Sequence, residues 1–427
     1  MKLLSSGREK VSPPPISFTY FTPSDVLIPR VDRQCIMRFC EAVAATGADV
    51  EVVSLGVRLD FDEPTRSRDL FEVYGIRVPF RVTVLPSRMS QMHRENVSGL
   101  WRAFKYGAYA SWRLIARPDG FGKDVTIFYF KNYLIALPLL FLRLLARRRL
   151  LLLFELHGPP RRRGDKAVLR RLDGVISLSE TLARQLKHEV GLEPTRVLQA
   201  HQGVNLDYVE RIRVSKTEAR RALALPSDKR LVVYTGKVHW WSAEVRFLIE
   251  AVELLPADVE LVIVGGRADH VELLRKGLSE QGVQRVRLVG FVSPAEVFRY
   301  QFAADVLVSY YPSDIRNLEY LSPGKLFEYM ASNRPIVTAD HAFLREIVAK
   351  DAAIFVERDR PYELAQGIRT VLDNEALGQR LAANAYRDVQ RFTWQKRAER
   401  VLAFSRELQI AERASTSRDG LWERERA

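Results

Sequence analysis

Cysteine is almost absent: the 427 residues contain two, Cys35 and Cys40. Two thiols within one helical pattern match neither a zinc-ligand spacing nor a disulfide framework. That excludes a metal-stapled or disulfide-stapled fold and points to reduced thiols in a cytoplasmic chain. No uninterrupted apolar run is long enough to span a bilayer. The most apolar stretch, residues 133 to 153, is broken by Pro138, Arg143 and Arg147-Arg148-Arg149, short of the roughly 18–20 residues a span requires. Met1 to Lys10 has no apolar core, so nothing there reads as a signal peptide. Short repeats, a defensible helix-turn-helix spacing and an interleaved aromatic RNA signature are also missing, which argues against a specific nucleic-acid module.

What is present is positive charge and apolar bulk. The net charge is +14, and 47% of residues are hydrophobic, ample for full-sized cores. Excess positive charge fits an anionic partner: nucleic acid, a membrane surface or an acidic substrate. The length suggests two domains or three. Apolar strand patterns alternate with helical ones almost throughout, so the fold class is α/β with doubly wound sheets.

The polar segment 1–15 carries Pro13-Pro14-Pro15 and reads as a disordered tail. Strand patterns follow at 16–20, 50–55, 125–130, 150–156, 174–178 and 197–199, with helical ones at 33–46, ended by Gly47, at 133–146 and after Ser179. Residues 57–120 are irregular and rich in Arg, Pro and aromatics. A first domain therefore covers 16–206, and the charged segment 207–229 reads as a linker. A second series of strands (231–234, 259–264, 286–289, 303–310, 335–340) and helices (244–255, 269–281, 294–303, 344–349, 361–372) makes a domain over 230–391. A closing helix over 392–411 and a tail over 412–427 complete the chain. Two similar α/β domains facing across a cleft is the predicted architecture. The helix at 133–146 can pack as a core element or rest with one face on an anionic leaflet, and the two are compatible.

The most informative segment is Ser322-Pro323-Gly324-Lys325-Leu326-Phe327-Glu328-Tyr329-Met330-Ala331-Ser332-Asn333. Ser322 reads as an N-cap, Pro323 as the first helical residue and Asn333 as the stop signal. The third helical position, where a capping box would put Glu or Gln, holds Lys325, and Gly324 precedes it. A cation in the first turn opposes the helix dipole by roughly 0.3–1 kcal/mol, and an interior Gly costs about 1 kcal/mol against Ala. Both choices suit an anion seated on the backbone N–H groups, with Gly admitting it and Lys adding charge. Glu328 shares a face with Lys325 and stands where a carboxylate could grip a sugar diol joined to that anion. The plainer alternative is a helix packed through Leu326, Phe327 and Met330 with a Lys325–Glu328 surface pair. The apolar strands on either side form a parallel-sheet unit, and ligands bind at the carboxyl ends of such strands.

This block, Ser-Pro-x-Lys-Leu-Phe-Glu-Tyr-Met-Ala, resembles the nucleotide-sugar signature of retaining family-four glycosyltransferases of GT-B fold (the group 1 type). Weaker matches appear in the family's order: Phe154-Glu155-Leu156-His157-Gly158, Gln202-Gly203-Val204-Asn205, Tyr234-Thr235-Gly236-Lys237, Val289-Gly290-Phe291-Val292 and the 392–405 stretch. The resemblance implies an acceptor-side first domain, a nucleotide-sugar-binding second domain and sugar transfer from a nucleotide diphosphate with anomeric retention. It puts Glu328 on the ribose, and Ser322, Pro323, Gly324, Lys325, Gly236 and Lys237 around the diphosphate leaving group. Phe291 and Val292 would pack the base, with Tyr320 near the donor sugar and His157 as a catalytic residue facing the donor. Preorganised N–H groups and lysines would stand in for a metal, so no catalytic divalent ion and no cofactor beyond the donor substrate are expected. Arg30, Arg33 and Asn132 are weaker candidates for the diphosphate or the acceptor.

Two departures stand out. A Glu common eight positions before Glu328 is replaced by Tyr320, and the basic residue expected after Lys237 is replaced by His239-Trp240-Trp241-Ser242. Lys325 could supply the charge missing at Ser242. The acceptor implied is a glycan or lipid-linked glycan in surface polysaccharide synthesis, with Arg147–Arg149 and Arg161–Arg163 favouring an anionic membrane and peripheral attachment to its cytoplasmic face. The alternative is a catalytically degenerate relative that binds a nucleotide or glycan without turnover.

Overall fold

The computed structural model describes residues 16–28, 31–57, 70–87, 105–110, 112, 125–146, 150–238 and 242–424. Arg30, the tail 1–15, most of the irregular 57–120 region, Arg147–Arg149 and His239-Trp240-Trp241 lie outside the described residues. The described chain divides into two compact units. One is built from residues up to Glu155, from 161–175 and from Val401 onward; the other from Leu156–Pro160 and Ile176–Arg400.

The first sheet has the order β3-β2-β1-β4-β5-β6-β7. Its strands are β1 (Ile16–Thr22), β2 (Asp49–Val57), β3 (Arg81–Ser87), β4 (Val125–Phe130), β5 (Leu150–Leu156), β6 (Gly174–Ser177) and β7 (Val197–Gln199). Parallel pairing joins β1 to β2 and β4, β2 to β3, and β4 to β5. β3 was not expected; it carries Pro86 and takes an edge, where a residue without an N–H is tolerated. Phe18, Tyr20, Phe39 and Tyr129 form an aromatic cluster, with the Tyr20 and Tyr129 ring centroids 5.0 Å apart. The neighbouring Cys40 thiol is pushed well up by burial and by the Glu155 charge, which keeps it protonated.

Two of the weaker candidates fall in this unit. Arg33 lies in the helix Val31–Ala44 with only 5% of its surface exposed. The Asn132 side chain accepts the Leu134 N–H (2.9 Å), capping the helix Tyr133–Ala146. That helix buries Ile135, Ala136 and Leu139, and it exposes Leu134, Leu137 and Phe141. Pro138 within it packs on Gly107, where a Cβ would stand 2.5 Å from the proline Cβ. Among the described residues no helix is long and apolar enough to cross a membrane.

The second sheet has the order β10-β9-β8-β11-β12-β13 and is parallel throughout. It comprises β8 (Arg230–Thr235), β9 (Val259–Val264), β10 (Val286–Gly290), β11 (Val306–Ser309), β12 (Ile336–Ala339) and β13 (Ile354–Val356). Both faces are covered, so its strands are nearly continuous apolar runs. Leu231 and Val233 feed one core cluster, while Val232 and Tyr234 feed the other. The strand order reverses between β8 and β11, so the loops after these two strands flank the crevice in which doubly wound sheets bind ligands.

The expected linker is structured: helices Leu206–Ile212 and Lys216–Ala222 are capped by Asn205 and Ser215. Helix Glu375–Val389, also unexpected, follows Pro361–Leu372. The last helix runs from Trp394 to Arg424, past the expected end.

Candidate functional site

The two loops at the switch point carry the residues singled out by sequence. After β8 the chain turns through Gly236, and Lys237 is exposed. Glycine at 265, with φ +117°, lets the β8 and β9 ends come together, since a Cβ there would stand 2.1 Å from the Gly236 carbonyl oxygen. After β11 a 3₁₀ turn, Leu318–Tyr320, follows Asn317 in the left-handed region (φ 62°) and leads into the key helix.

That helix spans Gly324–Ala331, one residue later than expected. Pro323 occupies the cap position without a side-chain bond. The Ser322 hydroxyl instead accepts the Gln202 N–H at 2.9 Å. Ser322 is therefore a strut to the Gln202-Gly203-Val204-Asn205 turn and not an N-cap. Gly203 is required there, since a Cβ would meet the Thr393 and Trp394 backbone within 2.9 Å. At the other end Asn333 adopts the left-handed conformation (φ 54°), the expected stop signal. Arg213 donates to the Ala331 (2.7 Å) and Ser332 (3.3 Å) carbonyls and satisfies that terminus.

The helix is fastened to β8 through Tyr329, whose hydroxyl accepts the Thr235 N–H at 2.7 Å. Burial, the larger effect, and nearby carboxylates raise that phenol strongly, so it remains neutral. Within the first turn Leu326 N–H reaches the Pro323 carbonyl (3.1 Å), while the N–H groups of Gly324 and Lys325 precede any intrahelical carbonyl. One turn on, Glu328 is half-buried, and its Oε2 accepts from Gln301 Nε2 at 3.4 Å. Gln301 is fully buried; it also donates to Thr235 Oγ1 (3.3 Å) and accepts from Ser332 Oγ (2.6 Å). Sequence reasoning missed Gln301, although a lone amide between Phe298 and Phe302 on an apolar helix signalled a buried polar group in need of partners.

Lys325 is placed otherwise than the sequence suggested. Its ammonium lies 2.6 Å from Glu244 Oε1, with both side chains nearly buried. It stands 4.3 Å from the Tyr234 ring centroid and 4.6 Å from that of Tyr311. No Lys325–Glu328 surface pair forms between these side chains. Glu244, in the first turn of helix Ala243–Glu253, was not anticipated either.

Of the remaining candidates, Phe291 is 68% exposed just past β10, after Gly290 at φ 86°, and Val292 is half-buried beside it. Tyr320 is half-buried, its phenol raised by burial and then by Glu319. His157 is exposed at the end of β5. Beneath Ser322 lies His201, buried against Phe327 and Phe392, its pKa lowered to about 4 by burial and by Arg397. Being neutral, it forms no ion pair with Glu346, 3.6 Å away. Gln301, Lys325, Glu328, Tyr329, Gly236 and Lys237 thus come together at the switch point of one sheet.

Residues 229–374 match the family model "Glycosyl transferases group 1". A D-inositol 3-phosphate glycosyltransferase from Nocardioides sp. is 28% identical over 257 residues, covering 56% of this chain and 54% of that protein. Its counterpart from Xylanimonas cellulosilytica is 27% identical over 248 residues, covering 56% of this chain and 58% of that one. The chain therefore spans little more than half the length of these curated relatives. Among solved structures, sucrose-phosphate synthase from Thermosynechococcus elongatus superposes with a TM-score of 0.69 at 19% identity, covering 93% of this chain and 100% of that one. Anabaena HepE in complex with UDP-glucose gives 0.64 at 17% identity, covering 94% and 100%. The fold is the two-domain α/β GT-B architecture. That stretch is similar to a group 1 glycosyltransferase domain of the family-four-like kind, and Lys237, Glu244, Gln301, Lys325 and Glu328 all fall within it.

Proposed function

We propose that this protein is a metal-independent, retaining glycosyltransferase that moves a sugar from a nucleotide-diphosphate donor to a glycan or lipid-linked acceptor in surface polysaccharide synthesis. The observation that carries the reading is Gly324. It begins a helix outside the left-handed region, and a Cβ there would meet only Gln202 Oε1, at an ordinary 3.8 Å. Nothing among the described residues requires a glycine at that point, whereas an anion approaching the Gly324 and Lys325 N–H groups would favour one. Glu328, held by Gln301 one turn away, is where a ribose joined to that anion would be gripped. The exposed Lys237 adds positive charge on the opposite loop, where charge develops on the leaving diphosphate. The HepE complexes with UDP and glucose support a nucleotide-sugar donor for this fold.

On the acceptor side, exposed Leu134, Leu137 and Phe141 follow i, i+3, i+7 spacing on one helix face. Together with exposed Arg161, Arg162 and Arg163 they support docking on an anionic membrane surface. The test is a panel of nucleotide sugars with slow donor hydrolysis and transfer as readouts, each with and without EDTA. Turnover is expected to survive EDTA. Glu328→Ala should weaken donor binding roughly ten- to hundredfold, the worth of a charge-assisted bond at about 1.5–3 kcal/mol. Loss of turnover in EDTA would refute metal independence; unchanged donor affinity in Glu328→Ala would refute the site. Nucleotide binding without hydrolysis or transfer would favour the rival reading of a non-catalytic binder. Its motivating observations are Tyr320 in place of a glutamate and a Lys325 already neutralised by Glu244.

A further inference from the structure

The sequence offers Lys325 as a cation for the leaving group, whereas the structure commits it to a carboxylate. Glu244 and Lys325 come from the first turns of two different helices, 81 residues apart, and meet at 2.6 Å with 12% and 13% of their side chains exposed. Tyr234 and Tyr311 flank the ammonium. The Tyr234 hydroxyl donates to the Lys237 carbonyl oxygen at 3.2 Å. Buried Tyr234, Tyr311 and Tyr329 are all raised first by burial and further by the Glu244 charge, so the carboxylate lies among three neutral phenols. A nearly buried ion pair of this kind is held by its hydrogen bonds and has no net charge toward a ligand at the helix start.

We propose that Glu244 is a positioning residue of the donor site: by neutralising Lys325 it limits the positive charge the diphosphate meets and so keeps the site from retaining its own product. The proposal rests on the nucleotide-sugar reading above. A nucleotide sugar presents two negative charges on its diphosphate, and the nucleoside diphosphate left after transfer gains another ionisable oxygen. Surplus positive charge would therefore tighten the product more than the substrate. With Glu244 in place, attraction comes from the helix N–H groups and Lys237; without it, Lys325 adds a full unit.

The test is Glu244→Gln, compared with wild type by calorimetric titration of the nucleoside diphosphate the wild type binds best and of the uncharged nucleoside. Nucleoside diphosphate affinity should rise about tenfold and become more salt-dependent, while nucleoside affinity stays within about twofold. In turnover kcat and KM should fall together as product release becomes limiting, and Glu244→Asp should restore both. Weaker or unchanged nucleoside diphosphate affinity in a folded Glu244→Gln protein overturns the proposal. Should that variant fail to fold, the double variant Glu244→Gln/Lys325→Met removes the pair without stranding a charge. It should bind nucleoside diphosphate within about threefold of wild type, and a loss beyond tenfold would show that the Lys325 charge serves the ligand directly, which also overturns it. A wild type that binds no nucleoside diphosphate defeats the functional reading and this proposal together. A wild type that binds, a Glu328→Ala that does not and an indifferent Glu244→Gln defeat this proposal alone.

Discussion

Gln301→Leu separates a residue that orients the site from one that merely fills the core. The side chain is fully buried, and leucine has nearly its volume, so little packing is lost. Three hydrogen bonds go: to Thr235 Oγ1 at 3.3 Å, to Glu328 Oε2 at 3.4 Å and from Ser332 Oγ at 2.6 Å. The first two are long, and at about 0.5–1.5 kcal/mol net each the three sum to roughly 1.5–3 kcal/mol. Ser332 Oγ keeps the Glu328 carbonyl at 2.8 Å, and Thr235 Oγ1 keeps the Tyr329 hydroxyl at 3.4 Å, so neither is stranded. Gained apolar burial offsets about 1 kcal/mol, leaving a net destabilisation of about 0.5–2 kcal/mol, to be read from urea denaturation. Binding is the sharper assay. If Gln301 fixes the carboxylate that holds the ribose, its loss should weaken a nucleoside diphosphate about tenfold and leave the 2′,3′-dideoxy analogue, which has no diol to grip, almost unchanged. An equal loss for both ligands, or none for either, would refute the orienting role and leave Gln301 as core only.

Arg213→Ala removes two charged donors from the Ala331 and Ser332 carbonyls and a stack on Phe302 (5.3 Å) and Tyr386 (5.5 Å). A loss of about 2–3 kcal/mol in denaturant unfolding is expected, and less than 1 kcal/mol would mean that solvent can serve this terminus. His201 carries a pH dependence. Unfolded, it takes up its proton near pH 6.5; folded, only near 4, so between those values the unfolded state binds more protons and stability falls as pH drops. About 3 kcal/mol is at stake across that window, and His201→Gln should flatten the curve there; an unaltered slope would assign the loss to other groups.

The parts of the fold that were legible are those in which local pattern and tertiary burial agree. The helix Tyr133–Ala146 and strands β4 and β5 fall where apolar runs and their breaks put them, because parallel strands covered on both faces leave an uninterrupted signal. β13 escaped because three residues carry no periodicity. Helix Glu375–Val389 should have been found, with its Asn374 cap and buried Leu381, Ala382, Ala385 and Val389 at helical spacing. Charge within 207–229 does not all face solvent. Arg220 is buried: it donates to the Ala303 carbonyl (3.0 Å) and pairs with Asp305 at 2.5 Å, so a basic residue there serves the core and not solvent.

The site teaches a subtler limit. A lysine in the first turn of Gly324–Ala331 breaks the dipole rule, and such a breach can be relieved by a bound anion or by a carboxylate elsewhere in the chain. Sequence alone cannot separate these, because Glu244 stands 81 positions away and its approach depends on β8 and β11 being neighbours. Gly324 and Lys325, one anomaly when read along the chain, therefore have different causes. The lysine is answered inside the protein, while the glycine is not. It is the glycine, unanswered among the described residues, whose missing Cβ leaves the helix end approachable, that supports the proposed ligand site.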